Sequence, residues 1–131
     1  MPVRLDIPRR ARALWTQADA RELAEGVAAR IVARTRKGID ATGERFAPLR
    51  DGSPSTLERS GRLLRSIRGR AQGTTAVITA GVDYASHVQE GGRRGGKRQA
   101  GREFMGLSDA EKAELEDAVR DTLDERLGVD R

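Results

Sequence analysis

The chain has 131 residues, 37% of them hydrophobic and 34% charged, which is the size and composition of one globular domain with a modest core. It contains no cysteine and one histidine, which excludes disulfides, thiolate metal sites, a cysteine nucleophile and multi-histidine metal centres. No apolar run is long enough to cross a bilayer, and the first ten residues lack the apolar centre of a signal peptide. We therefore expect synthesis in the cytoplasm and no membrane contact.

The charge is distributed unevenly around a net value of +5. Residues 91–102 contain five basic residues and no acidic one, whereas residues 109–126 contain eight acidic and three basic residues. Opposite charges on one small domain suit contacts between copies of the chain, and a basic segment also suits a polyanion. Composition leaves both interpretations open.

The N-terminal part predicts an arm followed by a helix. Residues 1–15 contain two prolines and a basic run, which indicates an extended basic arm rather than a packed element. A single α+β domain is predicted to follow at residues 16–128. Thr16 is placed to cap a helix from Gln17 to Lys37, in which apolar residues recur every fourth position until Gly38 ends it.

The middle of the chain predicts a long connection and then a hairpin. Residues 38–56 are rich in Gly, Pro, Asp and Ser, so we expect an irregular segment that Phe46, Pro48 and Leu49 hold against the core. The leucine-rich segment that follows predicts a short helix running into a strand. Gly73-Thr74 predicts a hairpin turn, and residues 75–81 predict the next strand.

The C-terminal third predicts two helices separated by a loop and a strand. Residues 84–90 indicate a short helix, residues 91–101 a mobile basic Gly-rich loop, and residues 102–107 a short strand. Ser108 and Glu111 form a capping-box pattern before the last helix, whose apolar stripe repeats every four residues until Gly128.

The element order predicts an α+β fold. A small antiparallel sheet is expected to pack against a long N-terminal helix and a C-terminal helix, with the long basic Gly-rich loop between the last elements.

The Gly-rich segment approaches the pattern of a phosphate-binding loop. Gly91, Gly96 and Lys97 have its spacing, but Arg98 occupies the position of the magnesium-binding hydroxyl. The predicted sheet also lacks the parallel strands that such loops follow. We therefore expect no nucleotide, cofactor or metal.

The five basic residues of this segment have three open interpretations. They can contact phosphates without reading bases, dock on an acidic helix of a neighbouring copy, or form a solvated surface. No aromatic residue is interleaved with them, which argues against a platform for stacked bases. The residues are Arg93, Arg94, Lys97, Arg98 and Arg102.

A catalytic site is not indicated. His87 has Glu90 three residues later, but the only nearby hydroxyl is Ser86, which lies on another helix face. A lone histidine without a nucleophile and an orienting group predicts a surface or interface residue. We expect no enzymatic activity.

Four segments in order resemble the phage virion-morphogenesis family, which includes tail-completion and neck proteins similar to the Mu G-like tail proteins. The first segment is a loop with Gly, an aromatic residue and Pro-Leu; the second is a Ser-Gly-Leu and Ser-Ile pattern. The third is a strand ending in Gly before a Tyr-Ala motif, and the fourth is Arg-x-Phe-x-Gly-Leu-Ser. The matching residues are Asp40, Gly43, Phe46, Pro48, Leu49; Leu57, Ser60, Gly61, Leu63, Ser66, Ile67; Val77, Gly81, Tyr84, Ala85, His87, Gln89, Gly91; and Arg102, Phe104, Met105, Gly106, Leu107, Ser108.

This resemblance covers residues 30–127 and departs from the family pattern at two positions. Glu103 replaces the usual proline after the arginine, and Phe46 replaces the usual tryptophan of the first loop. Because Trp15 lies upstream, the resemblance carries no information on the N-terminal arm. We expect the motif residues to be scaffold, with the two rings Tyr84 and Phe104 filling the core.

The resemblance implies a non-enzymatic virion protein of a tailed phage or phage-like particle. It implies a homo-oligomeric ring, with six copies expected, at the head–tail junction or the top of the tail around the DNA channel. The implied partners are a head-closure or connector protein and a tail terminator or tail-tube protein. The alternative is a small basic protein that binds DNA without sequence specificity through residues 93–102.

Overall fold

The computed structural model describes residues 2–6, 14–46, 61–82, 85–90, 92–94, 97–99 and 103–128. Within these ranges, nine elements follow one another. They are β1 (Val3–Leu5), α1 (Gln17–Arg36), α2 (Arg62–Arg65), β2 (Ile67–Gln72), β3 (Thr75–Ala80), α3 (Ala85–Glu90), β4 (Gly92–Arg94), β5 (Lys97–Gln99) and α4 (Asp109–Leu127).

Helix α1 begins at the predicted cap Thr16, and the structure shows that this cap is a capping box with Asp19. The Asp19 N–H donates to Thr16 Oγ1 at 3.2 Å, and the Thr16 N–H donates to the Asp19 carboxylate at 2.8 Å. These bonds satisfy two amides that a helix start otherwise leaves unpaired. Downstream of the cap, α1 buries the predicted small and branched side chains: Ala20, Ala24, Val27, Ala28 and Ile31.

The three-stranded antiparallel sheet has the order β1–β3–β2. β2 and β3 form the predicted hairpin, with Gln72 paired to Thr75 and Gly73 at a positive φ of 61° in the turn. The central strand β3 buries the consecutive residues Ala76, Val77 and Ile78. Ala76 and Ile78 belong to the main apolar core with α1, whereas Val77 lies on the opposite face, in register with Arg4 and Arg70 of the two neighbouring strands. The α+β class with a small antiparallel sheet is confirmed.

Gly69 in β2 lies where α1 crosses the sheet. A Cβ built on it would lie 2.2 Å from the backbone carbonyl carbon and oxygen of Ala24. No side chain fits in this space without moving the helix backbone. The pair Gly69 and Ala24 therefore sets the distance between α1 and the sheet.

The expectation of an unpacked arm at residues 1–15 is wrong for the parts that the structure describes. Val3, Arg4 and Leu5 form the edge strand β1, paired with Ile78, Val77 and Ala76. The alternation of two apolar residues around an arginine suits a strand with one face on the core.

Trp15 is also packed, with only 5% of its surface exposed. Its indole N–H donates to the Thr74 carbonyl at 3.2 Å, and its ring forms a second apolar cluster with Ala20 of α1. Leu23, Ala71, Val119 and Leu123 pack against this cluster. Burial of the indole thus ties the start of α1 to the β2–β3 turn.

Helix α4 begins at the predicted capping box of Ser108 and Glu111 and ends at Gly128 with φ of 70°. It runs antiparallel to α1, because its first turns contact the end of α1 and its last turn contacts the start of α1. Its apolar stripe is only half-buried, and Leu127 is 60% exposed. Among the described elements, α1 makes the extensive contacts with the sheet, whereas α4 joins through individual side chains.

Two predictions for the segment between α3 and α4 are wrong. The expected mobile loop contains β4 and β5, an antiparallel pair in which Arg94 lies opposite Lys97. The two residues between them in sequence are Gly95 and Gly96, a composition that favours two-residue hairpin connections. The strand expected at residues 102–107 is absent over the described positions 103–107.

Eight residues used in the predictions lie outside the described residues, and nothing is concluded about them. They are Pro48, Leu49, Leu57, Ser60, Tyr84, Gly91, Gly96 and Arg102.

Candidate assembly surfaces

The segment before α4 is held by side chains instead of a strand partner. Arg34 Nη2 donates to the Phe104 carbonyl at 2.6 Å, and Arg34 Nη1 donates to the Gly106 carbonyl at 3.1 Å. The Gln89 side chain both donates to the Met105 carbonyl at 3.1 Å and accepts from the Met105 N–H at 3.0 Å. Because these bonds occupy the backbone groups, no strand partner is needed.

Arg34 also forms a buried ion pair with Glu111. Arg34 Nη1 lies 2.5 Å from Glu111 Oε1, and the two side chains are only 9% and 11% exposed. Glu111 accepts in addition from the Ser108 N–H at 2.9 Å, and its second oxygen lies 3.4 Å from Arg30 Nε. The carboxylate therefore has charged or polar partners on both oxygens, which is the condition under which a buried charge is tolerated.

A second ion pair ties the other ends of the two long helices together. Arg126 donates to both oxygens of Asp19 and to the Leu14 carbonyl, the last at 2.7 Å. The hydrogen bond from Arg126 holds the pKa of Asp19 well below its ordinary value, and Thr16 contributes in the same direction. α4 is thus attached at both ends by arginine–carboxylate pairs.

The described start of the first loop is organised around Asp40. Its Oδ1 accepts from the Thr42 hydroxyl at 2.6 Å, the Thr42 N–H at 2.9 Å and the Glu44 N–H at 3.0 Å. Partial burial acts to raise the pKa of Asp40, but these hydrogen bonds outweigh it and leave the pKa lowered. The turn lets the chain return, so that the Phe46 N–H donates to the Gly38 carbonyl at 2.9 Å and the Phe46 ring is buried.

The Ser-Gly-Leu and Ser-Ile segment joins α2 to the sheet. Gly61 has a positive φ of 70° immediately before α2, and Leu63 is buried. The Ser66 hydroxyl donates to the Leu63 carbonyl at 2.6 Å, while the Ser66 carbonyl accepts from the Gly81 N–H at 3.2 Å. Both serine groups are therefore used to fix the backbone.

Two of the remaining described scaffold residues lie in the core. Ala85 is 1% exposed and Phe104 is 0% exposed. Gly106 has a φ of 136°, and a Cβ on it would lie 3.1 Å from the Ala41 side chain. A residue other than glycine is strained at this φ. The described motif residues thus have a structural explanation in packing and backbone geometry.

The basic residues of the predicted loop lie on the β4–β5 hairpin. Arg93 is directly opposite Arg98, and Arg94 is directly opposite Lys97. His87 lies in α3, the helix that precedes this hairpin in the chain. The hairpin therefore brings four basic positions together within two adjacent cross-strand pairs.

Five of the eight acidic residues of α4 fall into two groups. Glu111 and Glu114 contact Arg34 and Arg30 of α1. A second set lies on the exposed side, at positions that recur every four residues: Asp117, Asp121 and Glu125. We call these three residues the acidic stripe.

Within the described ranges, no group of three or more histidine or acidic side chains is arranged to hold a metal ion. Over the same residues, none of the four helices has an apolar stretch that could span a bilayer.

The described motif residues define a small α+β packing domain with a charged exterior. A model of the phage virion morphogenesis family matches residues 8–124. The chain therefore belongs to the phage virion morphogenesis family. The match begins well upstream of residue 30, so the family pattern extends over the start of α1 and Trp15, contrary to the sequence-based expectation.

Searches of curated proteins and of solved structures found no significant match. Family membership gives the protein a structural role in virion assembly and makes the virion its place of action.

Sequence reasoning missed three residues that organise these surfaces. Arg34 reads as an ordinary basic residue of a helix end, and Glu111 was recognised only for its capping role. Gly69 reads as a weak point in a strand, although its lack of a side chain admits α1. The signal available for Gly69 was its position inside a strand pattern, which often marks a close backbone approach.

Proposed function

We propose that the protein is a tail-completion or neck component that forms a ring at the head–tail junction or the top of the tail, around the DNA channel. The ring is expected to contain six copies and to contact a head-closure or connector protein and a tail terminator or tail-tube protein. The observation that carries this proposal is the family match over residues 8–124. The role is structural and requires no catalytic group.

The distribution of charge supports a ring. The basic hairpin and the acidic stripe are different patches on one domain. Contacts between different patches are heterologous, and they generate closed rings when the rotation between copies closes. A domain of this size also gains buried surface by association with further copies.

Deletion of the gene from the phage or prophage tests the proposal, with the wild-type gene supplied in trans as the control. Electron microscopy of the deletion is expected to show heads and tails that remain unjoined or tails with an unfinished upper end. A tagged copy should lie on the head–tail axis, and native mass spectrometry with the tail-tube partner should give the copy number. Joined, infective particles without the protein would refute the proposal, as would a single copy located away from the axis.

Sequence-independent DNA binding is the second candidate function, favoured by the two adjacent basic pairs of the hairpin. Binding of the isolated protein to unrelated duplexes would then fall steeply with salt, since each neutralised phosphate contributes a slope of about 0.9. Replacing Arg93, Arg94, Lys97 and Arg98 by serine should remove this salt dependence. If the affinity of that variant for DNA depends on salt concentration as steeply as that of the wild type, the hairpin is not the DNA contact.

A further inference from the structure

We infer that the basic β4–β5 hairpin of one copy binds the acidic stripe of α4 on a second copy of this chain. The inference rests on the proposed ring and identifies the surfaces that join neighbouring subunits. Charge complementarity between two patches of the same chain selects the second copy as the occupant.

The register of the hairpin concentrates basic residues at adjacent positions. Its register opposes Arg93 to Arg98 and Arg94 to Lys97, and like charges at directly opposed positions destabilise an antiparallel pair. Residues 91–102 contain five basic residues and no acidic one. Among the described elements, β4 and β5 contact each other extensively and make no comparable contact with another helix or strand.

The acidic stripe has the opposite charge and a suitable length. Asp117, Asp121 and Glu125 span eight residues of helix, or about 12 Å at 1.5 Å per residue. The Asp117 side chain is 70% exposed, and Arg120, at 3.7 Å, is itself 60% exposed. All three stripe residues are exposed, and residues 109–126 carry eight acidic against three basic residues, so the stripe lies on a surface with an excess of negative charge.

A second copy accounts for both patches, whereas DNA accounts only for the hairpin. DNA would also be repelled by the acidic stripe. Pairing α4 with another α4 is disfavoured, because residues 109–126 carry eight acidic against three basic residues in each copy. Binding of the hairpin of one copy to the acidic stripe of a second copy brings opposite charges together.

Crosslinking detects the contact in assembled particles. Because the chain contains no cysteine, Gln99→Cys and Arg120→Cys introduce single reactive thiols beside the hairpin and the stripe. Particles assembled from a mixture of the two single variants should yield covalent dimers with a short bis-maleimide. Gln99→Cys mixed with Glu44→Cys, an exposed residue elsewhere, is the control and should yield none. Absence of dimers in the first mixture would overturn the inference.

Charge reversal tests the electrostatic basis. Arg93→Glu with Arg98→Glu, and separately Asp117→Lys with Glu125→Lys, should each weaken association by about tenfold or more, because like charges then face each other. Combining all four changes should restore association to near the wild-type value. Circular dichroism and thermal melting verify that each variant is folded.

Matched controls change the net charge by the same amount elsewhere. Arg68→Glu with Arg70→Glu alters two exposed positions of β2, and Glu25→Lys with Glu44→Lys alters two exposed acidic positions. Both control pairs should leave association unchanged.

The pattern of results separates the possible partners. If the hairpin reversal abolishes DNA binding while the stripe reversal leaves association intact, the hairpin binds DNA and the inference is wrong. If neither reversal has an effect, the hairpin is a solvated surface and the inference is equally wrong. If the wild-type protein lies at the junction but the combined variant does not restore association, only this contact is refuted. If the wild-type protein is absent from the junction, the proposed function is refuted.

Discussion

Gly69→Ala should strongly destabilise the domain. The new methyl carbon would lie 2.2 Å from the carbonyl carbon and oxygen of Ala24 and 2.6 Å from the Glu25 nitrogen. Ordinary van der Waals contact needs about 3.5 Å or more, so α1 must move by more than 1 Å relative to β2. Overpacking changes usually cost about 1–3 kcal/mol. Because the clash here is with helix backbone, we expect about 3 kcal/mol, or a fall in melting temperature of about 10 °C.

Two other glycine variants serve as controls for this measurement. Gly26 lies in the middle of α1 with nothing within 4 Å of an added methyl group, so Gly26→Ala should stabilise the protein by about 0.5–1 kcal/mol. Gly73 also has free space but a φ of 61°, so Gly73→Ala should be destabilising through the backbone alone and less so than Gly69→Ala. Thermal melting of the three variants side by side separates the effects. A Gly69→Ala protein that melts within about 2 °C of the wild type would refute the close contact.

Three further outcomes are expected. Phe104→Ala should lower the free energy of unfolding by about 3–5 kcal/mol in denaturant titrations, because the ring is completely buried; a wild-type midpoint would contradict the packing scheme. Arg34→Met should cost about 3 kcal/mol, since it leaves the Glu111 carboxylate buried without its closest partner, and adding Glu111→Leu should recover part of the loss; an equal or larger loss in the double variant would count against the pair. The lowered pKa of Asp19 means that its pairing stabilises the fold above the ordinary aspartate pKa of 3.8 and that this contribution is lost as pH falls further towards the folded-state pKa. Arg126→Gln should therefore melt below the wild type at pH 6, with a smaller difference at pH 3; a difference that is constant with pH would exclude this role.

The sequence predicted the elements whose signals are local. The cap at Thr16, the capping box of Ser108 and Glu111, the apolar face of α1 and the β2–β3 turn depend on residues within a few positions of each other, and the structure confirms them. The edge strand β1 was missed because three residues are too short for a recognisable alternation. Its pairing with β3 joins residues more than 70 positions apart.

The errors around α4 have a different cause. The pattern of Arg102–Leu107 resembles a strand, but its backbone groups are bound by Arg34 and Gln89, which lie far away in sequence. The basic hairpin was predicted as a loop because glycine and like charges both disfavour strands. Its four basic candidate residues were nevertheless identified from composition alone. Which of them lie opposite each other became visible only from the register of β4 and β5 in the structure.

The attachment of α4 by arginine–carboxylate pairs has a consequence for how the domain opens. α1 and the three-stranded sheet share the main core, so their amides should exchange with solvent only on global unfolding. α4 contributes a half-buried stripe and is fastened mainly at its ends, so it forms a separate, weaker unit that can open locally. A subunit built in this way can adjust the tilt of one helix while the rest stays rigid. In the proposed ring, such a joint would let successive copies differ slightly in the angle between neighbours.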